Sequence, residues 1–176
     1  MNDVIRQASA AQARAADPGY NIFVEANAGS GKTRVLVDRV TRLLLGGVAP
    51  DTILCLTYTK AAAGEMKTRL FDRLGHWSVL GDEALKAQLT ELIGTSGRDD
   101  LTRARRLFAR ALETPGGLKI QTIHAFCESL LRRFPLEAGI PPGFDVVDET
   151  HAARFRQMAR AVVMRESRCD RAGRGP

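Results

Sequence analysis

The sequence contains few cysteines and no long apolar run. Its three cysteines, Cys55, Cys127 and Cys169, are widely spaced along the chain. This spacing fits neither a Cys-x-x-Cys metal knuckle nor an even-numbered disulfide framework, and it favours a reducing cytoplasm. No stretch approaches the roughly 18 apolar residues that a membrane span needs, and the first residues lack the apolar core of a signal peptide. The sequence therefore predicts a cytoplasmic protein without a membrane segment.

Acidic residues are outnumbered by basic ones. The chain has 26 Lys and Arg against 20 Asp and Glu, with a formal net charge of +6 and an isoelectric point of about 9.7. This balance suits a polyanionic partner such as nucleic acid, although many basic proteins bind none. Apolar residues make up 44% and charged residues 26% of the 176 residues, which indicates a folded domain rather than wholesale disorder.

Strand-like and helix-like patterns alternate along the chain. Short apolar runs at residues 20–26, 53–58 and 118–123 are typical of strands buried in a sheet. A helical pattern follows each run, and two more helical patterns lie between the second run and the third. Gly46-Gly47 and Gly75 are expected to end the first two helices. This alternation predicts an α/β fold with a parallel, doubly wound sheet flanked by helices.

The Gly-Ile-Pro-Pro-Gly segment at residues 139–143 is the expected boundary between two regions. Residues 1–143 would form the first domain, and residues 144–164 the beginning of a second, helical one. Residues 165–176 are rich in Arg and Gly and show no apolar periodicity, so the sequence predicts that they are disordered.

A glycine-rich loop between a predicted strand and a predicted helix carries the strongest chemical information. The loop reads Ala26, Asn27, Ala28, Gly29, Ser30, Gly31, Lys32, Thr33 and is followed by Arg34. Glycines let successive backbone N–H groups surround a phosphate, and the helix N-terminus adds its dipole. Lys32 can then reach the terminal phosphates of ATP and the Thr33 hydroxyl can bind Mg²⁺. Ala26 replaces the first glycine of the general pattern, and an ordinary glycine-rich turn is the structural alternative.

A P-loop enzyme normally needs a second acid at a strand end to hold Mg²⁺ through water. Asp148 and Glu149 follow a short strand-like run at residues 144–147 and are superficially suitable. However, Asp148 immediately precedes a helical pattern, where a carboxylate caps the free N–H groups. We favour the capping role for Asp148.

With the loop, further segments resemble superfamily 1 helicases of the UvrD/Rep type, in the order that this family uses. Residues 8–16 are similar to the family's Q motif, and Gln12 matches the glutamine that reads the adenine edge. An amide can donate and accept at once, as adenine requires. The resemblance implies that Gln12 and Arg34 hold the base of ATP. Without it, Gln12 would be a solvated residue of an Ala-rich helix.

Two strand ends carry the rest of the resemblance. Residues 54–69 are similar to motif Ia, which touches single-stranded DNA, and residues 121–126 are similar to motif Ib on the same face. The implied DNA-binding residues are Thr57, Tyr58, Thr59, Lys60, Thr122 and His124. Tyr58 would stack on a base and the polar side chains would approach phosphates. The alternatives are a core aromatic for Tyr58 and a structural role for His124.

Within that family the loop and the two flanking motifs most resemble the A subunit of bacterial AddAB-type helicase-nucleases. The resemblance implies an incomplete RecA-like domain 1A at residues 1–143 and the start of subdomain 1B after it. It also implies translocation on single-stranded DNA in the 3′–5′ direction, unwinding of duplex ends and repair of double-strand breaks. A partner subunit of the AddB type, and a nucleoid-associated location in bacteria, are implied as well.

The family's DExx box, second RecA-like domain, arginine fingers and nuclease carboxylates have no counterpart in these 176 residues. We therefore expect this chain to bind ATP without efficient hydrolysis or unwinding. Two alternatives stay open at this point. One is an unrelated P-loop ATPase or kinase domain, and the other is a non-enzymatic remnant.

Overall fold

The computed structural model describes residues 2–27, 29–94 and 96–172. Their regular elements are α1 (Asn2–Ala15), α2 (Lys32–Leu45), a 3₁₀ turn (Pro50–Thr52), β1 (Leu54–Thr57), α3 (Lys60–Val79), α4 (Asp82–Ile93), α5 (Arg98–Glu113), β2 (Lys119–Thr122), α6 (Ile123–Arg133) and α7 (Glu149–Ala172). The chain packs as two compact units, one ending at Phe126 and the other beginning at Cys127. The division expected from sequence at residues 139–143, with its subdomain assignments, remains a prediction.

The first unit is built around a helical core. Helix α3 packs against α5 and α2, and α4 packs against α5. The fully buried large side chains are Leu44, Met66, Leu70, Leu74, Trp77, Leu85, Leu89 and Leu107. Those on α3 recur every three or four residues, so one face of that helix is continuously apolar. The Trp77 indole N–H donates to Gln88 Oε1 at 2.7 Å, which satisfies the polar atom of the buried ring.

Helix α2 ends where the glycine pair predicts. Gly46 is the C-cap, and Gly47 adopts a left-handed conformation with φ of 91°. The Gly47 N–H donates to Leu44 O at 3.0 Å and the Val48 N–H donates to Leu43 O at 3.1 Å. These two bonds form a Schellman motif, which satisfies carbonyls at the helix end. This prediction is confirmed.

The predicted helix end at Gly75 is wrong, because α3 continues to Val79. Gly75 instead lies where two helices approach closely. A Cβ at this position would come 3.4 Å from Phe108 Cε2 on α5. This distance is an ordinary van der Waals contact, and the burial of Leu74 and Trp77 on either side outweighs the weak helix propensity of Gly75.

Strands β1 and β2 form a parallel pair, as predicted. The register runs from Leu54 opposite Lys119 to Thr57 opposite Thr122. Helix α3 packs against this sheet. Leu54 and Leu56, which alternate with the core-facing positions of β1, remain exposed. Within the described ranges the sheet has two strands. The α/β class is therefore confirmed, but the sheet is smaller than the doubly wound sheet expected from the sequence.

The strand predicted at residues 20–26 does not form. These residues have no regular secondary structure, and Phe23 is 92% exposed. A strand needs a neighbour to satisfy its backbone groups, and β1 and β2 pair only with each other in the part of the chain described. The glycine loop therefore follows an extended segment rather than a sheet strand.

The second unit consists of the later part of α6, a connecting segment and α7. Arg132 pairs with Glu128 and its guanidinium lies 5.0 Å from the centre of the Phe144 ring. The strand predicted at residues 144–147 is absent, since Val146 and its neighbours find no strand partner in the described chain.

Helix α7 extends further than the sequence predicts. It continues through Ala172, so the expected disorder of residues 165–176 is corrected for residues 165–172. Those residues are mostly Arg, Glu, Ser and Ala, without Gly or Pro, and a helix needs no apolar periodicity where such residues follow one another. Residues 173–176 lie outside the described residues. No helix in the described ranges is long and apolar enough to cross a bilayer.

Candidate nucleotide-binding site and strand-end surface

The glycine loop folds back on itself before α2 begins. Gly29 and Gly31 have φ of 79° and 89°, a left-handed conformation that favours glycine. The Ser30 hydroxyl donates to Asn27 O at 2.7 Å, and the Ser30 N–H donates to the same carbonyl at 3.3 Å. Ala28, predicted to bind the nucleotide, lies outside the described residues. The described loop residues therefore form a tight turn at the start of α2.

Lys32 is exposed and is the first residue of α2. Its Nζ donates to Ala26 O at 2.7 Å and to Asn27 O at 2.6 Å. The lysine is thus held at the loop by two neutral carbonyls. An anionic phosphate oxygen would be a stronger acceptor for the same group, because it adds the attraction of opposite charges to the hydrogen bond.

The N-terminus of α2 has the character of an anion site. Gly31 is the N-cap, no side chain accepts from the first turn, and that turn contains no acidic residue. The free N–H groups of Lys32, Thr33 and Arg34 therefore add a positive dipole field beside the lysine. Thr33 is half-buried, while Arg34 is exposed and pairs with Asp38 at 3.9 Å.

Gln12 on α1 contacts the loop directly. Its Nε2 donates to Ser30 O at 3.1 Å. A Cβ at Gly31 would come 3.0 Å from the same Nε2, so the Gln12 amide would have to shift slightly, and the φ of 89° itself favours glycine there. The structure therefore brings together Gln12 and the loop, which are 18 residues apart in sequence.

A cavity of about 470 Å³ opens beside Gln12, between α1, α2, α3 and α4. Charged and amide side chains line it, together with a tryptophan. They include Gln12, Arg34, Arg73, Trp77, Gln88 and Glu91. Arg34 lies 3.8 Å from Glu91 and Arg73 pairs with Asp38. Sequence reasoning identified Gln12 and Arg34 but missed the α3 and α4 residues, because nothing local indicates which helix packs there.

The DNA-binding residues predicted on two segments meet at one sheet edge. Thr57 and Thr122 are opposite each other at the carboxyl ends of β1 and β2. Tyr58 follows β1 and is 85% exposed, so it is not a core aromatic. Lys60 begins α3 and His124 lies in the first turn of α6, and both are exposed. We call the group Tyr58, Lys60 and His124 the strand-end surface.

The threonines predicted to bind DNA have structural hydrogen bonds. Thr59 Oγ1 accepts from the Ala62 N–H at 3.1 Å and caps α3. Thr122 Oγ1 accepts from the Ala125 N–H at 3.2 Å at the start of α6. The Thr57 hydroxyl donates to Thr59 O at 3.0 Å. Their part in DNA contact remains a prediction, and the exposed strand-end surface is the better placed group.

Asp148 is the N-terminal cap of α7. Its Oδ1 accepts from the His151 N–H at 2.8 Å and lies 2.9 Å from His151 Nδ1. These two bonds, the backbone one first, lower the pKa of Asp148 below its ordinary value. The capping role predicted from sequence is confirmed. Among the residues described there is no cluster of three His, Cys, Asp or Glu side chains suited to a metal ion.

Burial raises the pKa of the Cys55 thiol on β1 above its ordinary value. A raised pKa keeps the sulfur as the less reactive thiol. Cys55 therefore behaves as a packing residue beside the core rather than as a nucleophile.

An α/β fold whose left-handed glycine loop leads into a bare helix N-terminus with an exposed lysine defines the P-loop class of nucleotide-binding proteins. The model of the UvrD/REP helicase N-terminal domain family matches residues 7–171. The chain belongs to this family, which confirms the resemblance inferred from its motifs.

Three curated relatives of the chain, all from bacteria, are each named as the A subunit of an ATP-dependent helicase/nuclease. The one from Lactobacillus acidophilus is 36% identical over 155 residues, which cover 88% of this chain and 11% of that protein. The one from Desulforudis audaxviator is 40% identical over 140 residues, which cover 78% of this chain and 10% of that protein. The one from Enterococcus faecalis is 38% identical over 142 residues, which cover 80% of this chain and 10% of that protein.

The chain thus spans about a tenth of the length of these relatives. Their name agrees with the subfamily resemblance found in the sequence. Family membership also disfavours the alternative of an unrelated P-loop ATPase or kinase. The individual roles of Gln12, Lys32, Thr33 and the strand-end surface remain predictions.

Proposed function

We propose that this chain binds Mg-ATP through its glycine loop, as the N-terminal part of an AddA-type ATP-dependent DNA helicase-nuclease. One observation carries the proposal. Exposed Lys32 stands at the uncapped N-terminus of α2 and is held only by loop carbonyls in the bonds described, while Gln12 contacts the same loop from α1.

Different residues of the site would contact the phosphates, the Mg²⁺ and the base of the nucleotide. The N–H groups of Gly29, Gly31 and the first turn of α2 would face the phosphates, and Lys32 and the Ser30 N–H would exchange their carbonyl partners for phosphate oxygens. Thr33 offers the hydroxyl for Mg²⁺, which neutralises phosphate charge when bound. Gln12 and Arg34 hold the base at the polar cavity between α1 and α4.

Replacement of the loop lysine tests this proposal. Calorimetric titration of the 176-residue chain with Mg-ATP should give weak but saturable binding, and Lys32→Ala should abolish it because the phosphate charge loses its partner. Lys119→Ala is the matched control, since Lys119 is an exposed lysine at the amino end of β2. An unchanged isotherm in the Lys32 variant would refute the assignment.

We also propose that the strand-end surface binds single-stranded DNA. Tyr58 offers an exposed ring for base stacking, and Lys60 and His124 flank it with polar groups. The binding of labelled oligothymidine, followed by fluorescence anisotropy, should weaken with added salt. Tyr58→Ala should weaken it roughly tenfold, within the range for one lost base stack, and His124→Ala should weaken it less.

An exposed aromatic residue elsewhere supplies the control for that experiment. Phe155 on α7 is 58% exposed, and Phe155→Ala should leave the affinity for oligothymidine unchanged. Equal losses in the Tyr58 and Phe155 variants would show that binding is not confined to the strand-end surface. No binding even at low salt would contradict the DNA proposal and leave the nucleotide proposal standing.

For the whole protein we propose ATP-driven 3′–5′ translocation on single-stranded DNA and unwinding of duplex ends in double-strand break repair. Its partner would be a subunit of the AddB type, in the cytoplasm or nucleoid of a bacterium. These proposals rest on the family and on the name of the relatives. The 176-residue chain alone should turn over ATP poorly, because an arginine supplied to the transferring phosphate is worth roughly 10³ to 10⁵ in rate.

A further inference from the structure

Arg39 joins α2 to the chain that follows α1. Its guanidinium donates to three carbonyls, Ala15 O at 3.3 Å, Asp17 O at 2.5 Å and Tyr20 O at 2.7 Å. The first two belong to the end of α1 and the turn after it, and the third begins the extended segment that leads to the loop. One side chain therefore binds the first part of the connection between Gln12 and the P-loop at three points.

Residues 6–15 of α1 make few other packing contacts with the described chain. Ala16 is buried, but the described side chains of residues 6–15 are exposed except for Gln12 and Ala15, which are half-buried. Arg42, one turn beyond Arg39, donates to Ala13 O at 3.1 Å. A helix of 14 residues is only marginally stable by itself in water. Within residues 6–15, α1 is therefore held by these arginines more than by apolar packing.

We propose that Arg39 is a positioning residue that gives the nucleotide site its preference for adenine. By fixing α1 against α2 it holds the Gln12 amide at the loop, beside the polar cavity. This inference rests on the proposed function, because it concerns how the same site recognises the base. A planar guanidinium can bridge several carbonyls at once, whereas the single ammonium of a lysine cannot reproduce that fork.

The preference between ATP and GTP is the measurement that isolates this role. A glutamine amide that matches adenine mismatches guanine, so the unsubstituted chain should bind ATP roughly tenfold more tightly than GTP in calorimetry. Arg39→Ala and Arg39→Lys should both reduce the ratio of the two affinities to nearly one. Binding of inorganic triphosphate, which has no base, should be unchanged in both variants.

Arg103→Ala is the matched control. Arg103 is more exposed than Arg39, but it also donates to a helix-end carbonyl, Leu45 O at 2.7 Å, and this bond links α5 to the far end of α2. Its loss should lower thermal stability without changing the ratio of ATP to GTP affinity. A fall in ratio for Arg103→Ala as large as that for Arg39→Ala would overturn the inference, because general loosening would then explain both.

A double variant tests whether Arg39 acts on base preference through Gln12. If Arg39 acts through Gln12, the double variant Gln12→Ala with Arg39→Ala should lose no more base preference than Gln12→Ala alone. Additive losses would overturn the inference. A chain that binds ATP but keeps its ATP preference in Arg39→Ala would overturn this inference alone, whereas a chain that binds no nucleotide would overturn the proposed function as well.

Hydrogen exchange tests the positioning role without any nucleotide. In Arg39→Ala the backbone amides of residues 8–16 should exchange faster, while those of α3 and α5 keep their protection. In Arg103→Ala the amides of α1 should keep theirs. Unchanged exchange in α1 of the Arg39 variant would overturn the role of Arg39 as an anchor of that helix.

Discussion

The helical core and the extended segment at residues 21–27 are both apolar in sequence, yet they differ completely in burial. Leu70 and Leu74 on α3 have no exposed surface, whereas Phe23 is 92% exposed. The core residues lie on helices that face other helices, and each helix satisfies its own backbone groups. The extended segment has no neighbouring strand in the described chain. Apolar composition alone therefore does not decide burial, because a partner surface is also required.

The same difference affects the candidate site. Since the segment before the glycine loop is not held in the sheet, the loop is positioned by the helices around it. Lys32 belongs to α2, Gln12 to α1, and Arg39 connects the two helices. In the described structure the candidate nucleotide site thus rests on helix packing rather than on a strand end.

The largest expected change in the free energy of unfolding comes from a substitution in the helical core. Leu70→Ala should lower the free energy of unfolding by about 2–5 kcal/mol, because it leaves a cavity among buried side chains. Phe23→Ala should change it by no more than about 0.5 kcal/mol, because the ring makes no buried contact to lose. Urea titration followed by circular dichroism measures both values.

A volume-conserving change serves as the control for the core. Leu70→Met should cost less than about 1.5 kcal/mol, since it replaces nearly the same volume. If Phe23→Ala proved as costly as Leu70→Ala, the extended segment would have to be buried in solution, and the contrast between the two regions would disappear.

The sequence predicts those elements of the fold whose stabilisation is local or strongly periodic. β1, β2, their parallel arrangement and the glycine end of α2 all follow from apolar spacing and Gly-Gly. The strands expected at residues 20–26 and 144–147 do not form. A strand needs a partner strand from elsewhere in the chain, and the local composition does not show whether such a partner is present. Gly75 was expected to end a helix, yet α3 continues to Val79 and buries Trp77 in the core.

The candidate site divides in the same way. The glycine loop is recognisable from its residues, because phosphate binding requires that spacing. The family resemblance implied that Gln12 holds the base of ATP, but neither its bond to Ser30 nor the bonds of Arg39 to Asp17 and Tyr20 could be predicted from the sequence. An arginine in an amphipathic helix gives no local indication of which distant carbonyl it will reach.

The smallest expected effect concerns α7, which resembles the extended segment in having exposed apolar side chains such as Phe155 and Val163. Its first turn depends on the Asp148 cap rather than on packing. Because the cap lowers the pKa of Asp148, the ionised form stabilises the helix above the pKa that Asp has in the unfolded chain. This contribution should be lost as the pH falls through the lowered pKa of the folded state.

Replacing Asp148 by Asn separates the charge of this cap from its geometry. Asn also caps helices but does not titrate in this range, so Asp148→Asn should keep the first turn of α7 ordered without the acid-dependent loss. The amide resonance and hydrogen exchange of His151, followed by NMR below pH about 5, report on this turn directly. An identical acid transition in the Asn variant would assign the loss to another carboxylate, and Glu149 in the same first turn would be the next residue to replace.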